Sequence, residues 1–328
     1  MEAGQRRVTS EDVARASGVS RATVSYVLNN DTRQSIPAQT REKVLKAAHE
    51  LGYSPFAPAR TLRIGHSRIV LAVLQFEQVD PGLAHTLKEL EAGLAAHGFT
   101  LIWHVGLHTT SEQTHPSANL TPAVIVSYVD EADPHMTTFL RQFNVPVLSL
   151  SLSNENPWQG VEIGKAQVTY LVQQGWQRMV FAAPDRRDIQ RLAQARLEGV
   201  RQACAEVGLE PPLVQEVPLS RQAAREAIVN LLAQQVLPCG ICCYNDEVAF
   251  AVMAALTDES ISIPVSVAVI GCDDISLAQF SNPPLTTLSF DNKSSLGRLI
   301  ENILAISQGE PMQPMLSTSL KVIRRASA

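Results

Sequence analysis

Arg21, Ala22 and Tyr26 lie within one short run, and each is a residue type that can read the edge of a nucleobase. A forked guanidinium matches guanine O6 and N7, a side-chain methyl packs on the thymine methyl, and a phenol offers one hydrogen bond or an apolar contact. Around them Ser20, Thr23, Ser25 and Asn29 carry short donors suited to phosphate oxygens. A second set is scattered through the rest of the chain, most of its members at or near the carboxyl ends of apolar runs: Gln75, Phe76, Glu77, Ser127, Tyr128 and Ser151, then Asp185, Arg196, Asn245 and Asp273. A forked donor, an amide and a carboxylate converging on one cleft suit a polyhydroxylated ligand.

Other groupings are weaker. Gly160-Val161-Glu162-Ile163-Gly164-Lys165-Ala166 looks like a phosphate loop, but it is one spacer short and has no Ser or Thr after the lysine. His104, His108 and His115 are loosely spaced, without carboxylates at ligand spacing. Cys239 and Cys242 form a CxxC with no second pair, inside an apolar run that includes Cys243. With Cys204 and Cys272 the cysteines number five, an odd count that reads as reduced, buried thiols. There is no G-x-S-x-G, H-E-x-x-H or G-x-G-x-x-G. Catalytic residues, metal ligands and cofactors are therefore not expected, and an enzyme is excluded.

These residues need elements to hold them. Thr9-Ser10-Glu11-Asp12 is an N-cap followed three residues later by an acid, and it predicts a helix with a small apolar face of Val13, Ala14 and Ala16. Gly18 breaks that helix where a tight turn needs a positive φ. Ser20 caps a second helix running to about Asn29, with Val24, Val27 and Leu28 turned inward. A third begins near Pro37 and sets Val44, Ala48 and Leu51 at i, i+4 and i+7 before Gly52 ends the pattern. Two short helices about a glycine turn, closed by a third, make a helix-turn-helix. Such a unit enters the major groove with the N-terminus of its second helix, so Arg21 and Ala22 lie deepest and Tyr26 one turn on.

From Ile69 the texture changes. Strand-like runs at 69–74, 100–105, 123–129, 146–152, 178–183, 240–244 and 267–271 alternate with helical stretches such as 83–98 and 196–208. That alternation predicts parallel, doubly wound α/β sheets, with more strands than one sheet comfortably holds, and so two lobes about a cleft. Ligands of such sheets bind beyond the carboxyl ends of the strands, which is the rule that nominates the second set. Charge follows the same division. The chain carries −5 overall, yet residues 1–66 hold ten Lys/Arg against six Asp/Glu, leaving the remainder at −9. A basic head on an acidic body fits a polyanion partner. No apolar run is long enough to cross a membrane, and the polar, basic stretch Met1–Ser10 predicts a cytoplasmic address.

The stretches VTSEDVARASGVSRATVSYVLNN (8–30) and TREKVLKAAHELGYSPFAPARTLR (40–63) resemble the DNA-binding head and hinge of the lactose-repressor (LacI/GalR) family. The resemblance implies that Arg21, Ala22 and Tyr26 read bases while Ser20, Thr23, Ser25 and Asn29 hold the DNA backbone. Tyr26 stands where many members carry arginine. Residues 54–65 would form a hinge helix on the operator, and paired hinges would drive Leu62 into the minor groove, with Ala59 permitting close approach. Pro58 is tolerated only in a first turn, so that helix would begin at Phe56 or Ala57.

The resemblance further implies a two-lobed, periplasmic-binding-protein-like effector domain, crossed by the chain near 157–160, 285–290 and 314–320. Arg196-Leu-Glu-Gly199 resembles the family's R-x-x-G, Tyr244-Asn245-Asp246 its A-N-D, and Gly271-Cys272-Asp273-Asp274 its G-x-D-D, ahead of Pro283-Pro284-Leu285-Thr286-Thr287. The implied effector residues are Phe76, Tyr128, Ser151, Arg196, Asn245 and Asp273. The first lobe departs from the pattern. FEQVDPGLAH replaces N-P-[FY], Ser151-Leu152 replaces D-R, and the expected glycine pair near 165 is missing from GVEIGKAQVTY.

The expected protein is a homodimeric transcriptional regulator of the repressor kind. It would bind a pseudo-palindromic double-stranded operator and be controlled by a small, sugar-like effector. A degenerate pocket, under a protein partner's control or none, is the alternative. Expected boundaries are 1–53 for the head, 54–65 for the hinge and 66–328 for the effector-binding and dimerisation domain, its lobes split near 158 and 288. Val248, Ala251, Val252 and Ala255 form a small apolar stripe that is either a dimer contact or core.

Overall fold

The computed structural model describes residues 8–28, 34–53, 67–106, 120–129, 134–150, 160–316 and 319–328. The chain divides into two compact units, Met1–Ser67 and Arg68–Ala328.

In the first unit, α1 (Ser10–Ser17), α2 (Arg21–Leu28) and α3 (Ala38–Glu50) enclose a small core. Thr9 caps α1 reciprocally: the Asp12 N–H donates to Thr9 Oγ1 at 3.3 Å, and the Thr9 N–H donates to Asp12 Oδ2 at 2.9 Å. Gly18 closes the helix at φ 68°, a conformation that disfavours a side chain. Val13, Ala14, Val24, Val27, Val44, Ala47 and Ala48 are buried together. Two expectations fail here. Ala16 is exposed, because two residues past Ala14 it faces away from α2 and α3. Leu51 is 37% exposed, because α3 has ended one residue earlier and Ala47 fills the inner face instead.

The second unit holds two sheets. A four-stranded parallel sheet, order β2-β1-β3-β4, is formed by β1 (Ile69–Leu74), β2 (Thr100–Val105), β3 (Val124–Tyr128) and β4 (Val147–Ser149). A six-stranded sheet, order β10-β9-β8-β7-β5-β6, is formed by β5 (Met179–Pro184), β6 (Leu213–Val217), β7 (Cys239–Cys243), β8 (Val267–Cys272), β9 (Thr286–Asp291) and β10 (Ser319–Ile323). All its neighbours are parallel except β10, which runs antiparallel to β9 along the edge. Inner strands such as β3, β7 and β8 are buried along their whole length, as strands covered on both faces must be.

Helices cover both sheets. α4 (Pro81–Ala96) and α5 (Pro134–Arg141) belong to the first lobe. α6 (Gly160–Gln173), α7 (Gln190–Glu206), α8 (Arg221–Leu232) and α9 (Asp246–Asp258) belong to the second. α10 (Lys293–Ser307) returns to the first lobe, packing on α4 and β3. Beneath α5, Leu71, Val73, Ile125, Met136 and Phe139 form a separate cluster on one face of the first sheet.

The Gly160–Gly164 segment that resembles a phosphate loop is the start of α6, and its glycines serve packing. A Cβ on Gly164 would overlap backbone of α7 at Arg196, Gly199 and Val200, and one on Gly199 would overlap Val161. Helices this close tolerate no side chain at the crossing. On α9, Val248, Val252 and Ala255 are buried in the chain's own core and Ala251 is half-buried, so the stripe is core packing. All five cysteines are free and buried. Cys239 and Cys242 are an odd number of residues apart on one strand, so their side chains leave opposite faces. Among the described residues no helix is long and apolar enough to cross a membrane.

Candidate functional site

The first site is the exposed start of α2. Ser20 Oγ accepts the Thr23 N–H at 3.1 Å and lies 2.9 Å from Thr23 Oγ1, fixing the first turn. Val24 and Val27 anchor the opposite side in the core. Arg21 and Ala22 are consequently exposed, with Ser25 and Tyr26 half-buried on later turns. Arg21 is the helix's only charged residue, and it sits at the N-terminus, where the backbone dipole already favours an anion. Asn29 and Leu62 lie outside the described residues.

The second site is a cleft of about 840 Å³ between the two lobes of the larger unit. It opens at the carboxyl ends of the strands. Phe76 follows β1, Tyr128 ends β3, Leu150 follows β4, Tyr244 follows β7, and Asp273 and Asp274 follow β8. The close α6–α7 crossing places Arg196, whose guanidinium lies 4.2 Å from the Tyr244 ring centroid and donates to the Tyr244 carbonyl. Burial works against the Arg196 charge, but the Cys272 thiol, Tyr244, Asp273 and Asp80 outweigh it, and its pKa ends above the ordinary value. Burial pushes the Asp273 carboxyl up to about 6, against the pull of Arg196. Tyr128 is buried, its phenol pushed up by desolvation, and its hydroxyl finds no hydrogen-bond partner among the described residues. An unpaired buried hydroxyl costs about 1–3 kcal/mol, which a ligand's polar group would recover.

Asp246, the first residue of α9, ties three of the sequence motifs together. It is completely buried; its Oδ2 accepts the Ile275 N–H at 2.9 Å and its Oδ1 accepts the Thr287 hydroxyl at 2.5 Å. Gly271 lies directly against this carboxylate and has no room for a Cβ. Gln167 of α6 donates to the carbonyls of Cys243 and Gly271 at 2.8 and 3.1 Å, and Arg325 donates to Asp274 Oδ1 at 2.7 Å. The turn that carries Asp273 is thus held from four sides, and this sustains φ values of 110° at Asp273 and 48° at Asp274.

The lobes touch at the edge of the cleft. Arg186 of the second lobe donates through Nη1 to Asp80 Oδ1 at 2.5 Å and through Nη2 to the Gln78 carbonyl at 3.0 Å, both in the first lobe. On its own lobe it donates to Asp188 at 3.1 Å (Nε to Oδ1) and 2.6 Å (Nη2 to Oδ2). Asp188 Oδ2 in turn accepts the Glu77 N–H at 2.8 Å, back across the cleft. Burial would raise the Asp188 carboxyl, but Arg186 and the Glu77 amide hold it below its usual range. Nearby, a Cβ on Gly82 would stand 2.9 Å from the Asp273 Cβ, so the first turn of α4 rests on that residue.

Phe76, Tyr128, Arg196 and Asp273 are therefore brought together, and Asn245 is not. Its amide oxygen accepts the Val248 N–H at 3.0 Å as the N-cap of α9, and it does not line the cleft. Ser151 lies outside the described residues. Ser127 is buried within β3, Asp185 is exposed, and neither lines the cleft. Asp80, Arg186 and Asp188 escaped the sequence reading as site residues, and Asp246 was noted only as the last member of the A-N-D resemblance.

Residues 9–55 match the family described as bacterial regulatory proteins, lacI family, and residues 168–328 match the periplasmic binding protein-like domain. The chain is 28% identical over 341 aligned positions to the ribose operon repressor of Escherichia coli (strain K12), covering 98% of this chain and 99% of that protein. It is likewise 28% identical over 305 positions to the HTH-type transcriptional repressor PurR of Pasteurella multocida (strain Pm70), covering 88% of each. Among solved structures, the lac repressor dimer bound to operator and the anti-inducer ONPF aligns with a TM-score of 0.71 at 23% identity, over 98% of this chain and 99% of that one. The transcriptional regulator CelR–cellobiose complex aligns with a TM-score of 0.68 at 22% identity, over 98% and 100%.

Proposed function

The chain belongs to the lacI family of bacterial regulatory proteins, and from that premise we propose how it reads DNA and what controls it. It is a DNA-binding transcriptional repressor, not an enzyme. α2 enters the major groove, where Arg21 bonds guanine, Ala22 meets a thymine methyl and Tyr26 makes one further contact. Ser20, Thr23, Ser25 and Asn29 fix the register on phosphates. Two chains bind a pseudo-palindrome whose half-sites lie about one helical turn apart, and paired Leu62 side chains wedge open its centre. The protein works in the cytoplasm, beside the genome it reads.

The effector is a small polyhydroxylated molecule held between the lobes by Arg196, Asp273 and Tyr128, with Phe76 and Tyr244 as apolar walls. Ser151 completes the set by family resemblance, whereas Asn245 is spent on capping α9 and does not line the cleft. By favouring one lobe arrangement over the other, the ligand changes operator affinity by its differential affinity for the two, about 1–3 kcal/mol. One observation carries this reading: Phe76 and Tyr128 from the first lobe and Arg196 and Asp273 from the second line a single cleft.

The test is to incubate the purified chain with fragmented genomic DNA at physiological salt and sequence what is retained. A few palindromic sites near transport or catabolic genes support the reading, and their neighbours direct a thermal-shift panel of sugars, nucleosides and amino acids. Retention of random DNA alone overturns the DNA half, and operator binding with no shift across the panel overturns the effector half.

A further inference from the structure

Arg186 and Asp188 stand apart from every motif the family resemblance supplies, yet they join the lobes. We propose that Arg186, with Asp188 and Asp80, is a positioning clasp that holds the two lobes together before any ligand arrives and so sets the threshold of the effector response. The inference rests on the effector reading above, but the clasp itself can be tested without effector or operator.

The geometry is specific to a clasp. One planar guanidinium bridges two carboxylates on different lobes and adds a fourth bond to a first-lobe carbonyl. The Arg186, Asp80 and Asp188 side chains are only 16, 18 and 7% exposed, so solvent competes little for these bonds. Asp80 is the N-cap of α4, but its carboxylate makes no capping bond and is given wholly to Arg186. The first-lobe partners are Glu77, Gln78 and Asp80. These belong to FEQVDPGLAH, the stretch in which the first lobe departs from the family pattern. The departure therefore supplies a link between lobes in place of the pattern it lost. A lobe arrangement already favoured by its own contacts scales every ligand's apparent affinity by the fraction of molecules in the competent arrangement.

The Glu77 amide reports on the clasp directly, because it donates across the cleft to Asp188. Hydrogen exchange of the full-length chain, free of effector and DNA, should show this amide protected in the wild type. Arg186→Met should speed its exchange by roughly tenfold or more, the scale of a lost charge-assisted bond. Asp80→Asn should do so by less, since Arg186 and Asp188 stay paired, and Arg186→Lys should fall between the wild type and Arg186→Met. Adding Asp80→Asn to Arg186→Met should add nothing, which separates a shared clasp from two independent packing defects. Amides of β7 and β8 should stay as slow as in the wild type, showing that the fold persists. An unprotected Glu77 amide in the wild type, or equal exchange in the wild type, Arg186→Met and Asp80→Asn, overturns the proposal. So does a double variant whose effects simply add.

Discussion

Replacing Asp246 with asparagine should remove a pH-dependent loss of stability, and its size follows from the burial. Asp246 is fully enclosed, and burial pushes its carboxyl from 3.8 up to about 7, with Asp273 and Asp274 adding to the rise and the Thr287 and Ile275 bonds opposing it. A carboxyl harder to ionise in the folded chain than in the unfolded one takes up a proton on folding between those two values. Stability at this site is therefore highest in acid, falls as pH climbs from about 4 to about 7, and carries the whole penalty above that. Some three pH units at 1.36 kcal/mol each amount to about 4 kcal/mol. Asparagine keeps the shape: its oxygen accepts the Ile275 N–H and its amide donates to the Thr287 oxygen. The Thr287 proton can turn to the Leu288 carbonyl, 3.4 Å away. Urea unfolding of both proteins, followed by circular dichroism, gives the difference at each pH. That difference should move in favour of Asp246→Asn by about 2–3 kcal/mol between pH 5 and pH 8 and then level off. A flat difference, or one that moves toward the variant as pH falls, refutes the reasoning.

Other variants address the two sites. Arg21→Ala should relax base preference at one operator position by about 1–3 kcal/mol, read by binding to a randomised operator library; an unchanged consensus removes Arg21 from base readout. Leu62→Ala should weaken operator binding while leaving non-specific binding at its original level, and equal losses in both would discard the wedge. Arg196→Ala should abolish the response to whichever compound shifts the wild-type melting curve, with operator binding retained. A surviving response would place the pocket elsewhere.

The elements of the larger unit were legible wherever burial made the sequence uniform. All seven predicted apolar runs contain strands: five are central parallel strands, which must be apolar on both faces, while β2 and β4 are edge strands whose residues are mostly apolar although part of them is exposed. The three missed strands break that rule for identifiable reasons. β6 is an edge strand with Leu213 and Val214 exposed, and β10 is an antiparallel edge. β9 buries Thr286 and Thr287, whose hydroxyls bond to Ala328 and Asp246. Position at a strand's end found Phe76, Tyr128 and Asp273, and the R-x-x-G resemblance found Arg196 within α7. The strand-end rule misjudged Asn245, where a polar residue three before Val248 serves the helix start. The Arg186–Asp80 pair spans 106 positions. Neither residue lies in a periodic pattern, so the sequence carries no trace of their meeting.

The return of α10 to the first lobe governs the order in which the molecule can be made. Gly93 of α4 packs on Ile300 of α10, so this seat stays vacant until residue 300 has been synthesised. At 5–20 residues per second that interval is roughly 10–40 seconds, during which the second lobe emerges as one uninterrupted stretch from α6 to β9. The lobe made later in the chain is thus nearly complete before the earlier one receives its last helix. A ribosome stalling shortly before Lys293 would release a chain with one lobe almost whole and the other unfinished.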